Sequence, residues 1–210
     1  MHDSSLMLAQ PEASDQLVLM FHGVGSSAQG LAPVGKALAQ ARPRATVVSV
    51  EAPHPSQLGR GKEWFSVIGV TEANRPQRIA QVMPLFLQTI QHWQGVTGIG
   101  PDRTVLVGFS QGAIMSLEST QASIESNGAA HTVLSLAGRF AIPVRRAPAD
   151  VRLHLIHGEQ DGVVQTKWSV EAASQWRALG SSVTLDLVPG LVHGIDARAL
   201  QHVLDHLKHK

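Results

Sequence analysis

A chain of 210 residues is long enough to bury a substantial single core, and the absence of cysteine excludes disulfides, thiolate metal sites and a cysteine nucleophile. Its 17 basic and 16 acidic residues leave a formal net charge of +1, with no basic stripe to engage nucleic acid or an anionic membrane. No apolar run approaches the ~20 residues of a spanning helix, and the opening MHDSSLMLAQPEASDQ lacks the basic and apolar regions of a secretory signal. The expectation is a soluble cytoplasmic protein.

Residues 1–14 read as a polar leader, disordered or an edge extension, ahead of a single domain over 15–210. Gln16–Phe21 is a continuous apolar run of strand length, as in a strand covered on both faces, and it ends in the small-residue loop His22-Gly23-Val24-Gly25. Leu31, Val34, Leu38 and Ala41 recur at helical spacing, and Thr46–Val50 is a second buried strand. From Glu51 to about Arg75 the periodicity fades, and a structureless stretch of that length in a compact domain is usually functional or mobile. Within it Arg60, Lys62 and Glu63 read as solvated loop charges. Ile79, Val82, Met83, Phe86, Ile90 and Trp93 mark a helix that Pro84 is expected to kink or split. Strand-type runs at Val105–Val107, Thr132–Leu136, Val151–Ile156 and Val183–Val188 then alternate with helical patterns after Ser110, from Val170 to Leu179 and from Ile195 to Leu207. That alternation gives the fold class α/β, a mostly parallel central sheet flanked by helices.

Functional loops of a parallel sheet leave the C-terminal ends of its strands. After Val105–Val107 comes Gly108-Phe109-Ser110-Gln111-Gly112, a G-x-S-x-G pattern with strand before it and helix after. The glycines remove side chains where a sharp, strained turn leaves no room. Ser110 is thereby held out at the strand's edge, and the Gln111 amide, at a helix N-terminus, points where an oxyanion would form.

Asp161 follows a strand in HGEQDGVV, and His193 lies between the last strand and the last helix in VPGLVHGI. Nucleophile, acid and base therefore stand in the order Ser…Asp…His, 51 and 32 residues apart, the order of the α/β-hydrolase fold. A serine hydroxyl needs a base to take its proton; histidine can do so, and an aspartate fixes its tautomer and stabilises the imidazolium. Asp186 lies mid-strand and Asp150 precedes one, so Asp161 has the better position. His154 sits inside a strand, while His22 and His157, each before a glycine, read as structural hydrogen-bond donors. His202, His206 and His209 share a face of the terminal helix and read as a solvated, cationic helix end rather than a metal site. A second oxyanion donor is expected from the loop after an early strand, where the Val24 amide is the candidate.

FHGVG, GFSQG, HGEQDGVV and GLVHG, spread over Val18 to Ile195, resemble the phospholipase/carboxylesterase family of small serine hydrolases, which includes acyl-protein thioesterases and bacterial carboxylesterases. The resemblance implies a compact α/β-hydrolase fold with no large cap domain, a Ser110–Asp161–His193 triad, and Val24 and Gln111 as oxyanion donors. It also assigns Trp64-Phe65 to the family's tryptophan-containing substrate loop. The thioesterase branch usually reads LHGLGD and GFSQGG, where this chain has Ser26 at the acidic position and Ala113 after the second glycine. A bacterial carboxylesterase subgroup is closer.

The expected activity is hydrolysis of short- to medium-chain carboxylic esters through an acyl-enzyme, on a small-molecule ester, with no metal or organic cofactor and by a monomer or homodimer. Substrate contacts are expected from Trp64, Phe65, Phe109 and Met115, with core packing the competing reading for Trp64 and Phe65. The alternatives are acyl-protein thioesterase or lysophospholipase activity on the same triad, or a non-catalytic α/β-hydrolase that binds a ligand. Retention of the serine, aspartate, histidine and glycines together argues against the last.

Overall fold

The computed structural model describes residues 4–122 and 129–208. In chain order the elements are β1 (Leu6–Ala9), β2 (Gln16–Phe21), α1 (Ala32–Ala41), β3 (Ala45–Val50), β4 (His54–Pro55), β5 (Lys62–Glu63), α2 (Arg75–Thr97) and β6 (Thr104–Phe109). There follow α3 (Gln111–Ala122), β7 (Thr132–Leu136), β8 (Arg152–Gly158), α4 (Lys167–Ala178), β9 (Val183–Val188) and α5 (Ala197–Lys208). Seven strands form one sheet in the order β1-β3-β2-β6-β7-β8-β9. All its pairings are parallel except that of β1, which lies antiparallel on β3.

The strands are apolar throughout because both faces of the sheet are covered, and successive side chains serve opposite layers. In β2, Leu17, Leu19 and Phe21 join the core beneath α2, α3 and α4, while Val18 and Met20 join the core beneath α1 and α5. Leu106 of β6 divides from Val105 and Val107 in the same way. Full burial of each such side chain stabilises the fold by roughly 1.5–3 kcal/mol. Helix α5 supplies Ala199, Val203 and Leu207, four residues apart, as a single buried stripe. The α3 helix, by contrast, is buried along nearly its whole length, which fixes the residues at its N-terminus firmly against the sheet. Among the described residues no helix is long and apolar enough to cross a membrane.

The leader supplies the edge strand of the sheet, Leu6–Ala9, with Leu6 opposite Ser49 and a register irregularity between Met7 and Ala9. Two sequence expectations change. The α2 helix runs unbroken through Pro84. Its neighbours Val82, Met83 and Phe86 are buried, whereas Pro84 and Ala80 are exposed, so the carbonyl that proline leaves without a donor faces water.

The 51–75 stretch is fastened by non-local contacts rather than being structureless. Its β4–β5 hairpin pairs His54 with Glu63. Glu63 is buried, accepting the Ser56 hydroxyl at 3.0 Å, and is not a solvated charge. Arg78 donates to the carbonyls of Ser66 and Ile68 at 2.7 and 2.8 Å. Arg139 grips Glu72 through two hydrogen bonds of 2.9 and 2.6 Å, its guanidinium lying 3.7 Å from the centre of a Trp168 ring.

The Arg139 hydrogen bond holds the Glu72 carboxyl down to about 2. Because the folded value lies below the unfolded one, this contact stabilises the fold at neutral pH and loses its effect as pH falls from 4.5 toward about 2. Glu72→Gln should therefore cost about 1 kcal/mol or less at pH 7, Glu72 being largely exposed. In thermal melts across pH, its gap from wild type should close over that acidic interval.

Candidate active site

The chain leaves β2 toward β3 on one side of the sheet, while β6 leads to β7 on the other. A crevice opens between the C-terminal ends of β2 and β6, the switch point at which open α/β sheets carry their sites. Ser110 stands there with φ of +53°, in the left-handed region that side chains other than glycine rarely adopt. Its N–H donates to Leu136 O at 2.9 Å, and its carbonyl accepts the Ile114 N–H at 3.0 Å.

The two glycines relieve different crowding. A Cβ on Gly108 would lie 2.5 Å from Ala113 N and Cα. On Gly112 it would lie 2.1 Å from the Phe21 carbonyl oxygen and 2.8 Å from that of His22. The collisions that exclude side chains are thus between strand and helix, and between helix and β2.

The structure brings together the three residues singled out in sequence. His193 Nε2 lies 2.9 Å from Ser110 Oγ, and His193 Nδ1 lies 2.7 Å from Asp161 Oδ2. The other carboxylate oxygen, Oδ1, accepts the N–H groups of Val163 and Val164, both at 2.9 Å. A carboxylate only accepts, so the proton of His193 belongs on Nδ1, and Nε2 is left with a lone pair toward the serine. Burial pushes the Asp161 carboxyl up, but the hydrogen bonds from His193 and the two amides outweigh it and hold the group below its usual range. The loops carrying acid and base are themselves joined: Gln160 N–H donates to Leu191 O at 3.0 Å, and a Cβ on Gly158 would lie 2.3 Å from that same oxygen.

The other buried histidines are hydrogen-bonded on both nitrogens. His22 Nδ1 meets Gly23 O at 2.8 Å, and its Nε2 accepts the Ala52 N–H at 3.1 Å. His157 bridges Ser169 Oγ and Val164 O, each at 2.7 Å. Burial pushes both imidazoles down, keeping them neutral as structural links. At the far end of the sheet His206 Nε2 lies 2.6 Å and His202 Nδ1 3.3 Å from the carboxylate of Asp186. Both reach Asp186 of β9, His206 largely covered and His202 partly in solvent, while His209 lies outside the described residues. Among the described residues no group of three or more His, Asp or Glu side chains is arranged to hold a metal ion.

The loop after β2 lies directly against the serine, for a Cβ on Gly23 would sit 3.1 Å from Ser110 Cβ. Neither the Val24 N–H nor that of Gln111 has a backbone acceptor among the described residues. Gln111 begins α3, where the first N–H groups of a helix have no intrahelical partner.

The expected substrate contacts divide. Phe109 is half-buried, its ring 5.1 Å from that of His193. Trp64 and Met115 are fully buried, and Phe65 nearly so. The Trp64 ring packs edge-on to Phe86 at 4.8 Å and Phe21 at 6.1 Å. The Trp64, Phe65 and Met115 side chains pack in the core, and Trp64 and Phe65 also border a cavity with His54, Ile68 and Leu85. Sequence reading missed the apolar side chains that do reach solvent around the crevice: Val163 beside Asp161, Val192 beside His193, and Leu58, whose carbonyl abuts Gly25, are 72, 59 and 47 % exposed. It also missed the Gln111 side chain, whose Oε1 accepts the Trp64 N–H and whose Nε2 donates to Phe65 O, both at 2.7 Å.

The model of the phospholipase/carboxylesterase family matches residues 3–210. The chain belongs to that family. Membership makes it a hydrolase of carboxylic ester bonds. Within the family it is 41% identical over 208 residues to esterase YpfH of Escherichia coli (strain K12), covering 99% of this chain and 88% of that one. It is 26% identical over 211 residues to acyl-protein thioesterase 1 of Neurospora crassa, covering 90% and 84%. Among solved structures, esterase PE8 superposes with a TM-score of 0.86 at 27% identity, over 97% of this chain and 96% of that one. The α/β-hydrolase fold without a large cap is common to these phospholipase/carboxylesterase proteins and to the chain described above.

The Gly112 contacts make a stringent test of the turn. Gly112→Ala should cost about 2–3 kcal/mol in urea unfolding, since the clash is with backbone that cannot move aside without displacing β2.

Proposed function

We propose that the protein is a serine carboxylesterase that cleaves short- to medium-chain carboxylic esters through an acyl-enzyme, within a single α/β-hydrolase domain that takes in the Leu6–Ala9 strand as well as residues 15–210. The observation that carries this reading is the hydrogen-bonded series Ser110–His193–Asp161, with the Val24 and Gln111 N–H groups in the flanking loop and helix lacking a backbone acceptor among the described residues. Ser110 Oγ attacks the ester carbonyl carbon as its proton passes to His193 Nε2. Negative charge on the former carbonyl oxygen is met by the N–H groups of Val24 and Gln111, and Asp161 stabilises the imidazolium. Collapse of the tetrahedral intermediate breaks the bond to the alcohol, which leaves with the proton from His193. Water then enters; His193 takes its proton, hydroxide adds to the acyl carbon, and the acid departs as Ser110 regains its hydrogen.

The exposed apolar rim of Val163, Val192 and Leu58, with Phe109 beside the histidine, offers surface to an acyl or alkyl chain. With Trp64 and Met115 buried, that exposed surface is modest, which favours shorter chains. The 41% relative bearing the name esterase supports an oxygen ester as substrate.

A series of p-nitrophenyl esters of increasing acyl length tests the proposal, with turnover expected to peak at short to medium chains. Ser110→Ala should abolish both hydrolysis and labelling by a fluorophosphonate. Asp161→Asn should lower kcat by on the order of 10⁴ if the wrong histidine tautomer results. Full activity in Ser110→Ala, or no ester turned over by the wild type, contradicts the reading.

A further inference from the structure

The two N–H groups assigned to the oxyanion hole come from different strand ends, and a single five-residue segment bonds to the residues after Val24 at one end and to the Gln111 side chain at the other. At one end Lys62 N–H donates to Ser26 O at 2.7 Å and Gly25 N–H donates to Lys62 O at 3.0 Å, locking the segment to the residues that follow Val24. Gly61 comes so close that a Cβ there would lie 2.1 Å from Ser26 O and 2.3 Å from Gly25 O. At the other end, the Gln111 carboxamide takes the Trp64 N–H and gives to Phe65 O, both at 2.7 Å. Between the ends, the buried Trp64 ring packs edge-on against the touching pair Phe21 and Phe86 and Glu63 is held by Ser56, so the segment has little freedom to flex.

We propose that Gly61–Phe65 is a strut that sets the distance between the two oxyanion donors, and that the Gln111 side chain is a positioning residue for the Val24 N–H. This rests on the serine esterase reading above. Gln111 would then have two tasks: its backbone offers one donor, and its buried side chain fixes the loop that offers the other. A donor acts on a transition state only when aimed at the place where charge develops, so a shift of the Val24 loop lowers kcat while leaving substrate binding largely intact. The β2–β6 pairing ends at Phe21 and Gly108, before either donor, and so does not fix their spacing by itself.

The experiment compares wild type with Gln111→Met, which keeps side-chain length and removes both polar functions, and with Gly61→Ala, which disturbs the strut from its other end. Each is assayed for kcat and KM on p-nitrophenyl butyrate, for inhibition by an alkyl trifluoromethyl ketone, whose serine adduct places an oxyanion in the hole, and for thermal stability. Gln111→Met is expected to lose about 10–100-fold in kcat, less than deletion of a donor, with KM within about threefold. Its ketone affinity should fall by the same factor as kcat/KM. Gly61→Ala should show the same split, and the double variant should lose less than the product of the single losses, because both release one donor. A folded Gln111→Met with wild-type kcat and ketone affinity overturns the proposal, as does a loss confined to melting temperature. If Gln111→Met does not fold, Gly61→Ala decides by the same two outcomes. Should wild type neither hydrolyse esters nor react with a fluorophosphonate, the esterase reading fails and the strut with it; an active wild type with unaffected variants refutes the strut alone.

Discussion

Everything at the crevice depends on how closely the start of α3 approaches the end of β2. Gly112 lies where any Cβ would strike the Phe21 carbonyl, and Gly108 lies where one would strike Ala113. That close packing holds Ser110 at φ +53°, a conformation costing of order 1–3 kcal/mol that survives only when the surroundings over-determine it. The surroundings do so: Ser110 is hydrogen-bonded through its N–H to β7 and through its carbonyl to α3, and α3 is buried along most of its length. The strain is therefore stored locally and supported by two packed layers, and the serine hydroxyl has one position in which to meet the imidazole.

Around that fixed point the electrostatics are divided by environment. Asp161 is buried yet held as a carboxylate by three donors, whereas His22 and His157, equally buried, are kept neutral and used to tie loops together. The buried Asp161 carboxylate thus lies 2.7 Å from His193, the imidazole beside Ser110, and 3.3 Å from Nε2 of His157. The apolar rim at Val163 and Val192 borders the same two loops, so the groups proposed to move protons and the surface proposed to receive an acyl chain are carried on shared backbone.

Much of this was readable from local patterns. Strands buried on both faces leave unbroken apolar runs, and Ser110, Asp161 and His193 could be singled out because each follows such a run in a glycine-containing loop. The 51–75 stretch was opaque for the opposite reason. Its conformation is set by Gln111, Arg78 and Arg139, residues 10 to 67 positions away from what they hold, and nothing within the stretch announces them. Trp64 and Met115 resemble pocket residues in sequence, since an aromatic or methionine side chain suits a core and a substrate groove equally well; only the packing against Phe21 and Phe86 assigns Trp64 to the core. Pro84 misleads because a helix break depends on whether the freed carbonyl can reach water, which is a property of the helix's exposed face.

If the proposed mechanism holds, the strained Ser110 becomes covalently acylated during turnover. Rapid acid quench during hydrolysis of a p-nitrophenyl ester, followed by peptide mass mapping, would capture that species. The expected result is an acyl adduct on the peptide containing Ser110, appearing with a burst of nitrophenol and absent from Ser110→Ala. Turnover with no adduct, or an adduct on a different residue, would contradict it.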